Sequence, residues 1–268
     1  MKTKSYVPIT ERKQRQTFKK TSQIINRFHL QMKLDGHDSK QAGIMEYQLA
    51  SLKGGSKSKG WGASGSWLAT RILNWIRPLF QCTAIETERE TTTNIEEERP
   101  KYEMITMLDV GAINGEVYTK YSSWLQVESI DLNSQSCAVL EQDFMERPYS
   151  GDTKCFHVVC LSLVINFVCD PTGRGEMLRR TRHFLIPKGI LYLVLPLPCV
   201  TNSRYLNHQH LQFIMQSLGF HLTEHHFSKK LAFYIWMLDE SYHYQSVPKK
   251  ILRNGAGMNN FAIVLPKN

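Results

Sequence analysis

Between Met104 and Asp131 an apolar run enters Asp109, turns at Gly111 and Gly115, and gives way to a second candidate strand that ends on Asp131, 22 residues after Asp109. A strand ending near a carboxylate, a glycine turn that admits a ligand close to backbone, and a second strand-end carboxylate together point to a parallel sheet with a ligand at its carboxyl edge. Beyond Pro100 the strand, turn, helix pattern repeats, with candidate strands at 104–110, 127–131, 138–142, 157–161 and 189–195. The crossover from Asp131 to the third strand is too short for a full helix. Residues 170–186 read as a helix, with Asp170 as N-cap and Pro171 in its first turn. Residues 206–218 read as another, stopped at Gly219, and 220–237 with 261–265 supply closing strands that pair as a hairpin at the sheet edge. The expectation is an α/β fold: a Rossmann-like sheet with helices on both faces and a final antiparallel edge strand.

What the glycine turn would hold follows from what it lacks. A dinucleotide loop G-x-G-x-x-G starting at Gly111 needs glycines at 113 and 116, where Ile113 and Glu116 stand. S-adenosylmethionine carries no phosphate, and its sulfonium cation tolerates Asp109 and Glu116 beside the turn. Taken alone, the turn is equally an ordinary strand exit without a ligand. The other strand ends add to it. Asp131 is placed to take ribose hydroxyls, Asp143 the exocyclic amine of adenine, Phe144 to pack on its ring, and Gly111 to face the methionine end. A single such aspartate also serves as a strand-end cap; three in register are harder to account for that way. After the fourth strand come Asn166 and Phe167, and after the fifth Arg204 and Tyr205, which offer an acceptor base a charge and an aromatic face. A polar loop entering the next helix is the competing reading of Arg204 and Tyr205.

Charge separates the chain into parts. Residues 1–60 hold 13 Lys/Arg against four Asp/Glu, whereas 61–268 hold 20 against 20. This basic extension, with helical spacing over 21–34 and 44–52, suggests a polyanion partner; a solvated tail that aids nuclear import is the alternative. Residues 54–65 read as a flexible loop, and Trp67–Phe80 as a helix that caps the core and breaks at Pro78. Residues 83–100, with six Glu and two Arg, read as an acidic exposed loop. The organisation is therefore a basic extension over 1–60, a capping helix and acidic loop over 61–100, and a main domain over 101–268.

Other classes of function find no support. The six cysteines form no C-x-x-C pair and no histidine joins them at zinc-ligand spacing, so no metal is expected. No nucleophile-elbow motif is present, and neither His208-x-His210 nor His225-His226 is given a chemical role. Arg179, Arg180 and Arg182 read as a solvated helix face. The N-terminus lacks a signal-peptide core and the longest apolar run, 158–168, is too short to span a bilayer, so a soluble intracellular chain is expected.

Longer strings are more specific than the turn. They are GIMEYQLAS (43–51), Ser66-Trp67-Leu68, DLNSQ (131–135), QDFMERP (142–148), SLVINFVCDPTGRGEMLRR (162–180) and LPLPCVTNSRYL (195–206). In these the chain resembles the fungal 25S ribosomal RNA adenine-N1 methyltransferase family, whose animal relatives include an S-adenosylmethionine sensor of nutrient signalling. The resemblance implies a class I methyltransferase sheet and transfer of a methyl group from S-adenosylmethionine to N1 of an adenine in large-subunit ribosomal RNA. It implies ribosomal RNA or a preribosomal particle as partner, a monomer without metal or membrane, and a place in the nucleus and nucleolus. The cofactor glycine and ribose carboxylate of such enzymes correspond here to Gly111 and Asp131, while position at the strand ends sets Asp109, Asp143 and Phe144 beside them and nominates Asn166, Phe167, Arg204 and Tyr205 as the acceptor pocket. Ile113 departs from the general pattern of a glycine there. A non-catalytic S-adenosylmethionine-binding sensor acting through a protein partner is the main competitor and a small-molecule methyltransferase another; the basic extension favours RNA.

Overall fold

The computed structural model describes residues 62–76, 78, 104–113, 115–134, 136–149, 156–239 and 242–267. The helices expected over 21–34 and 44–52, the acidic loop over 83–100 and most of the glycine-serine stretch lie outside them. Residues Ser64–Asn268 form one compact unit. Its strands are β1 (Ile105–Val110), β2 (Leu125–Asp131), β3 (Leu140–Glu141), β4 (Phe156–Ser162), β5 (Leu185–Pro196), β6 (Phe220–Phe227) and β7 (Leu231–Leu238); its helices are α1 (Gly62–Arg71), α2 (Pro171–Thr181), α3 (Pro198–Thr201) and α4 (His208–Ser217).

The seven strands lie in the order β3-β2-β1-β4-β5-β7-β6. The first five are parallel, and β7 runs antiparallel between β5 and β6. This is the expected class I methyltransferase sheet with one adjustment: the edge belongs to β6, and the last strand in sequence is inserted beside β5. The central strands are covered on both sides, which is why they read as continuous apolar runs. One layer packs Met177 and Leu178 of α2 and Leu211, Ile214 and Met215 of α4 against Leu108, Val159, Leu191 and Leu193. The opposite layer packs Leu68, Ala69 and Ile72 against Met107, Val158, Cys160 and Tyr192.

That second layer departs from a simple strand-helix repeat. Among the described residues, the connection from β1 to β2 contains a single 3-10 turn, Thr119–Tyr121, and no longer helix, and α1, which precedes the sheet in sequence, covers the face instead. Leu68 and Ile72 are fully buried and Trp67 stacks on Tyr192 at 5.8 Å. Helix α1 starts at Gly62, inside the stretch read as a flexible loop. Tertiary packing overrides the poor helix propensity of glycine there, because a Cβ on Gly65 would come within 2.4 Å of Val117 Cγ1. Ahead of Pro78, residues Ile72–Ile76 widen into a π turn, the local response to a missing N–H and a ring that crowds the preceding turn.

Two further expectations change. The helix after Asp170 stops at Thr181, and Leu185 already pairs with Phe156, so β5 begins before the Pro187-Lys188-Gly189 turn, where Lys188 has φ 60°. Residues 261–265 are not a strand. Apart from one bridge between Val247 and Leu265, they belong to an irregular C-terminal segment laid over the carboxyl rim. No described helix is long and apolar enough to cross a membrane.

Candidate functional site

Four strand ends meet at the carboxyl rim. Gly111 follows β1 with φ +75°, and a Cβ there would lie 2.7 Å from Val164 Cγ2, so the turn is pressed against the loop after β4 and any larger residue is strained and crowded. The amides of Gly111 and Ala112 both donate to Ile130 O, at 2.8 and 3.1 Å, which leans the turn toward the end of β2. There Asp131 accepts a hydrogen bond from Asn133 N at 2.8 Å through Oδ1, a local turn that holds its carboxylate. Burial pushes the Asp131 carboxyl above its ordinary range, and the neighbouring Glu141 adds to the shift. Gln142 N donates to Asp131 O at 2.9 Å, so Asp143 stands one residue from that link, its own Oδ1 accepting from Met145 N at 2.7 Å. Gly111, Asp131 and Asp143 are thus brought to one side of the rim.

Asp109 and Phe144 are placed differently. The side chain of Asp109 shares the α1 face with Cys160 and Tyr118, where Tyr118 Oη lies 3.8 Å from Cys160 Sγ. It is 8% exposed, and burial pushes its pKa up to about 6, with Cys160 opposing the shift by donating a hydrogen bond. The ring of Phe144 is 3% exposed and packs against Phe184 at 5.3 Å, so it is a core residue and its ring is not open to an adenine. The apolar side chain open to the rim is Leu132, 67% exposed and directly after Asp131, with Ile113 38% exposed beside Gly111. Position immediately after the strand-end carboxylate was the available sequence signal for Leu132.

The loop after β4 forms the other side. Leu163 adopts φ 63°, an uncommon conformation for a side chain of its size, while its N–H donates to Val194 O at 3.0 Å. The 3-10 turn Ile165–Phe167 follows. It buries Asn166 Oδ1 away from solvent with no hydrogen-bond partner. An orphaned buried acceptor costs about 1–3 kcal/mol; the other such side-chain atom among the described residues is Trp236 Nε1 in the sheet core, so it is the place of Asn166 at the rim that marks it. Phe167 is half-buried in the same turn.

Arg204 does not face an acceptor. Its guanidinium donates to Met258 O at 2.7 Å, Asn260 Oδ1 at 2.8 Å and Gly255 O at 3.2 Å, and so fastens the C-terminal segment to the rim. Arg253 returns the attachment through Ser203 O and Val200 O at 2.7 and 3.0 Å. Arg174, 6% exposed, donates to Val168 O and Ala262 O, both at 2.7 Å, and stands 4.4 Å from the Phe261 ring. This arginine couples the Asn166 loop to the C-terminal wall, a role that local sequence pattern does not reveal. Tyr205 is half-buried with Lys249 Nζ 4.3 Å from its ring centre. Arg180 and Arg182, expected on a solvated face, bond instead to the carbonyls of Phe144, Arg147 and Leu218. Among the described residues no group of three or more His, Cys, Asp or Glu converges as for a metal ion.

The rim therefore sets the carboxylates of Asp131 and Asp143, at the end of β2 and in the turn after β3, beside the Gly111 turn on one side and a desolvated amide oxygen on the other. A ligand rich in hydroxyl, amine and cationic groups matches the first; the second is an acceptor that only a hydrogen-bond donor satisfies. Residues 32–263 match the family model described as 25S rRNA (adenine(2142)-N(1))-methyltransferase, Bmt2. The chain is 32% identical over 238 residues to the Saccharomyces cerevisiae 25S rRNA (adenine(2142)-N(1))-methyltransferase, covering 85% of this chain but 61% of that protein. It is also 32% identical to the Schizosaccharomyces pombe 25S rRNA adenine-N(1) methyltransferase, covering 82% of this chain and 76% of the relative. Among solved structures, a Burkholderia thailandensis 1,6-didemethyltoxoflavin-N1-methyltransferase aligns with TM-score 0.43 at 10% identity, over 69% of this chain and 93% of that one. The N-methyltransferase NodS from Bradyrhizobium japonicum WM9 aligns with TM-score 0.39 at 12% identity, over 52% and 80%.

Proposed function

The chain belongs to the 25S rRNA (adenine-N1)-methyltransferase family, and from that premise we propose that it transfers a methyl group from S-adenosylmethionine to N1 of an adenine in large-subunit ribosomal RNA. The observation that carries the reading is the buried, unpartnered Oδ1 of Asn166 opposite the Gly111, Asp131 and Asp143 strand ends. Those residues fit the cofactor chemically. Asp131 would accept from the ribose hydroxyls, Asp143 from the adenine amine, Leu132 would pack on the ring, and the Gly111 turn would face the amino-acid end. When bound, S-adenosylmethionine supplies an electrophilic methyl group.

The chain's own residues then have to position and desolvate the acceptor. N1 of adenine carries a lone pair, so no base is required, and positioning dominates. N1 also lies on the Watson–Crick edge, so the base enters unpaired or flipped out. Asn166 Oδ1 accepts a hydrogen from the exocyclic N6 amine, which aims the adjacent N1 at the methyl group; a guanine would present an oxygen to that oxygen and be repelled. Phe167 and Tyr205 border the base, while Arg204 acts at a distance by holding the C-terminal wall. The same reading assigns ribosomal RNA or a preribosomal particle as partner and the nucleolus, where large subunits are assembled, as the place of action.

The test is transfer of labelled methyl to purified large-subunit RNA, followed by mapping of the reverse-transcription stop that N1 methylation causes. A stop at one adenine is expected. Asn166→Ala is expected to lower the transfer rate about ten- to a hundredfold through loss of one buried hydrogen bond, with donor affinity unchanged. Donor binding without any stop would overturn the enzymatic reading in favour of a binding protein that signals through a partner.

A further inference from the structure

The β6–β7 hairpin delivers its tip to the same rim. Leu197 N, just beyond β5, donates to Lys230 O at 2.7 Å, and Ser228 closes the turn through its hydroxyl. Rings gather beside the tip. His208, the first residue of α4, lies 4.6 Å from His225, and Phe227 meets these two rings edge-on at 5.7 and 5.3 Å. Tyr234 stacks beneath His208 at 5.7 Å and supports the group from the sheet. Phe227 is nonetheless 39% exposed, His225 is exposed, and Lys229 and Lys230 project from the turn into solvent. One side of Phe227 thus rests on other rings, while its open side lies on an edge strand just before the exposed Lys229 and Lys230.

The surroundings favour one kind of occupant. Residues 242–267, which line the adjoining rim, contain four Lys/Arg and no Asp or Glu, and 197–267 as a whole contain seven against three. A cation stands over a ring there, Lys249 over Tyr205 at 4.3 Å. Flat π-faces interleaved with positive charge are what a single-stranded nucleic acid requires, since every base stacks and every linkage carries a phosphate. An acidic peptide would use the lysines and leave the rings without a purpose.

We propose that the β6–β7 tip is a docking surface for the single-stranded RNA that flanks the target adenine, with Phe227 and His225 stacking a base and Lys229 and Lys230 meeting its phosphates. This rests on the RNA-methyltransferase reading and adds to it where the strand enters. The full-length chain, its Lys229→Glu/Lys230→Glu variant, and Phe227→Ala and Phe227→Trp are compared for binding of oligoadenylate across a salt series and for methylation of large-subunit RNA. Calorimetric binding of S-adenosylmethionine serves as the folding control. The double charge reversal is expected to weaken RNA binding and flatten the log–log salt slope by about 1.4, the share of two phosphates on a single strand. Phe227→Ala is expected to weaken binding about tenfold and Phe227→Trp to restore it. Wild-type affinity and slope in both the charge-reversal and alanine variants, with donor binding intact, would overturn the surface alone. A wild-type chain that binds neither RNA and leaves no methyl mark would overturn the RNA reading, and the surface with it.

Discussion

Asp109 is held between the demands of the fold and those of the ligand. Burial against Cys160 raises its carboxyl to about 6, above the unfolded value of roughly 3.9. For an acid shifted in this direction the folded state binds the extra proton, so stability falls as pH rises from about 4 to about 6 and stays lowered above that. The full penalty is about 3 kcal/mol at neutral pH, at 1.36 kcal/mol per unit. Asp109→Asn is therefore expected to raise the urea midpoint at pH 7 and to remove this part of the pH dependence. A bound sulfonium or ammonium would favour the ionised carboxylate again, so donor affinity in the wild-type chain should rise with pH through about 6, while the Asn variant binds with a flatter profile. Equal profiles in titration calorimetry would make Asp109 a structural residue only. The sequence already placed this carboxylate beside the turn, but its direction, into the α1 face, depends on the strand's alternation and on what α1 covers.

At the scale of elements, the parts of the fold that sequence displays are those stabilised locally. The Asp170 cap is real, its Oδ2 accepting from Gly173 N at 2.7 Å, and β1, β4 and the second half of β5 appear as apolar runs because both faces are covered. The C-terminal segment is different. Phe261–Leu265 has the composition of a strand, yet β6 occupies the sheet edge and the segment is held by arginine side chains reaching backbone carbonyls 50 to 88 residues away. No periodicity encodes such bonds. Arg204 on the C-terminal segment and Phe144 in the core follow the same logic, since type and position nominate a residue for a site while only packing reveals whether it faces outward. Arg174 is the bond on which the wall most depends. Arg174→Lys keeps the charge but cannot span Val168, Cys169 and Ala262 together. Its expected cost is about 2–4 kcal/mol, from buried carbonyls left unpaired, read as a lower urea midpoint, and methyl transfer should fall further than donor binding because the Asn166 loop loses its tie to the wall. An unchanged midpoint would show that the carbonyls find other partners.

For the whole molecule, net charge conceals an arrangement. Residues 61–268 balance at 20 Lys/Arg and 20 Asp/Glu, but six of those acids lie in 83–100, and 197–267 keep a positive excess. The chain thus presents two basic regions of different kinds: a surplus of nine in residues 1–60, and the smaller excess at the rim. Their contributions to RNA binding are separable, because the salt slope counts phosphates neutralised and is insensitive to contacts that displace no counterion. Removing residues 1–60 leaves the compact unit 64–268 whole, so donor affinity is expected to be retained while the salt slope drops. Each phosphate lost lowers it by roughly 0.7 on a single strand and 0.9 on a duplex. Combining the truncation with Lys229→Glu/Lys230→Glu should then subtract the sum of the two separate losses if tail and rim engage different phosphates. A combined loss smaller than that sum would mean that both regions compete for the same stretch of RNA. A slope unmoved by the truncation would remove residues 1–60 from the RNA interface and leave the rim as the place where this chain reads its substrate.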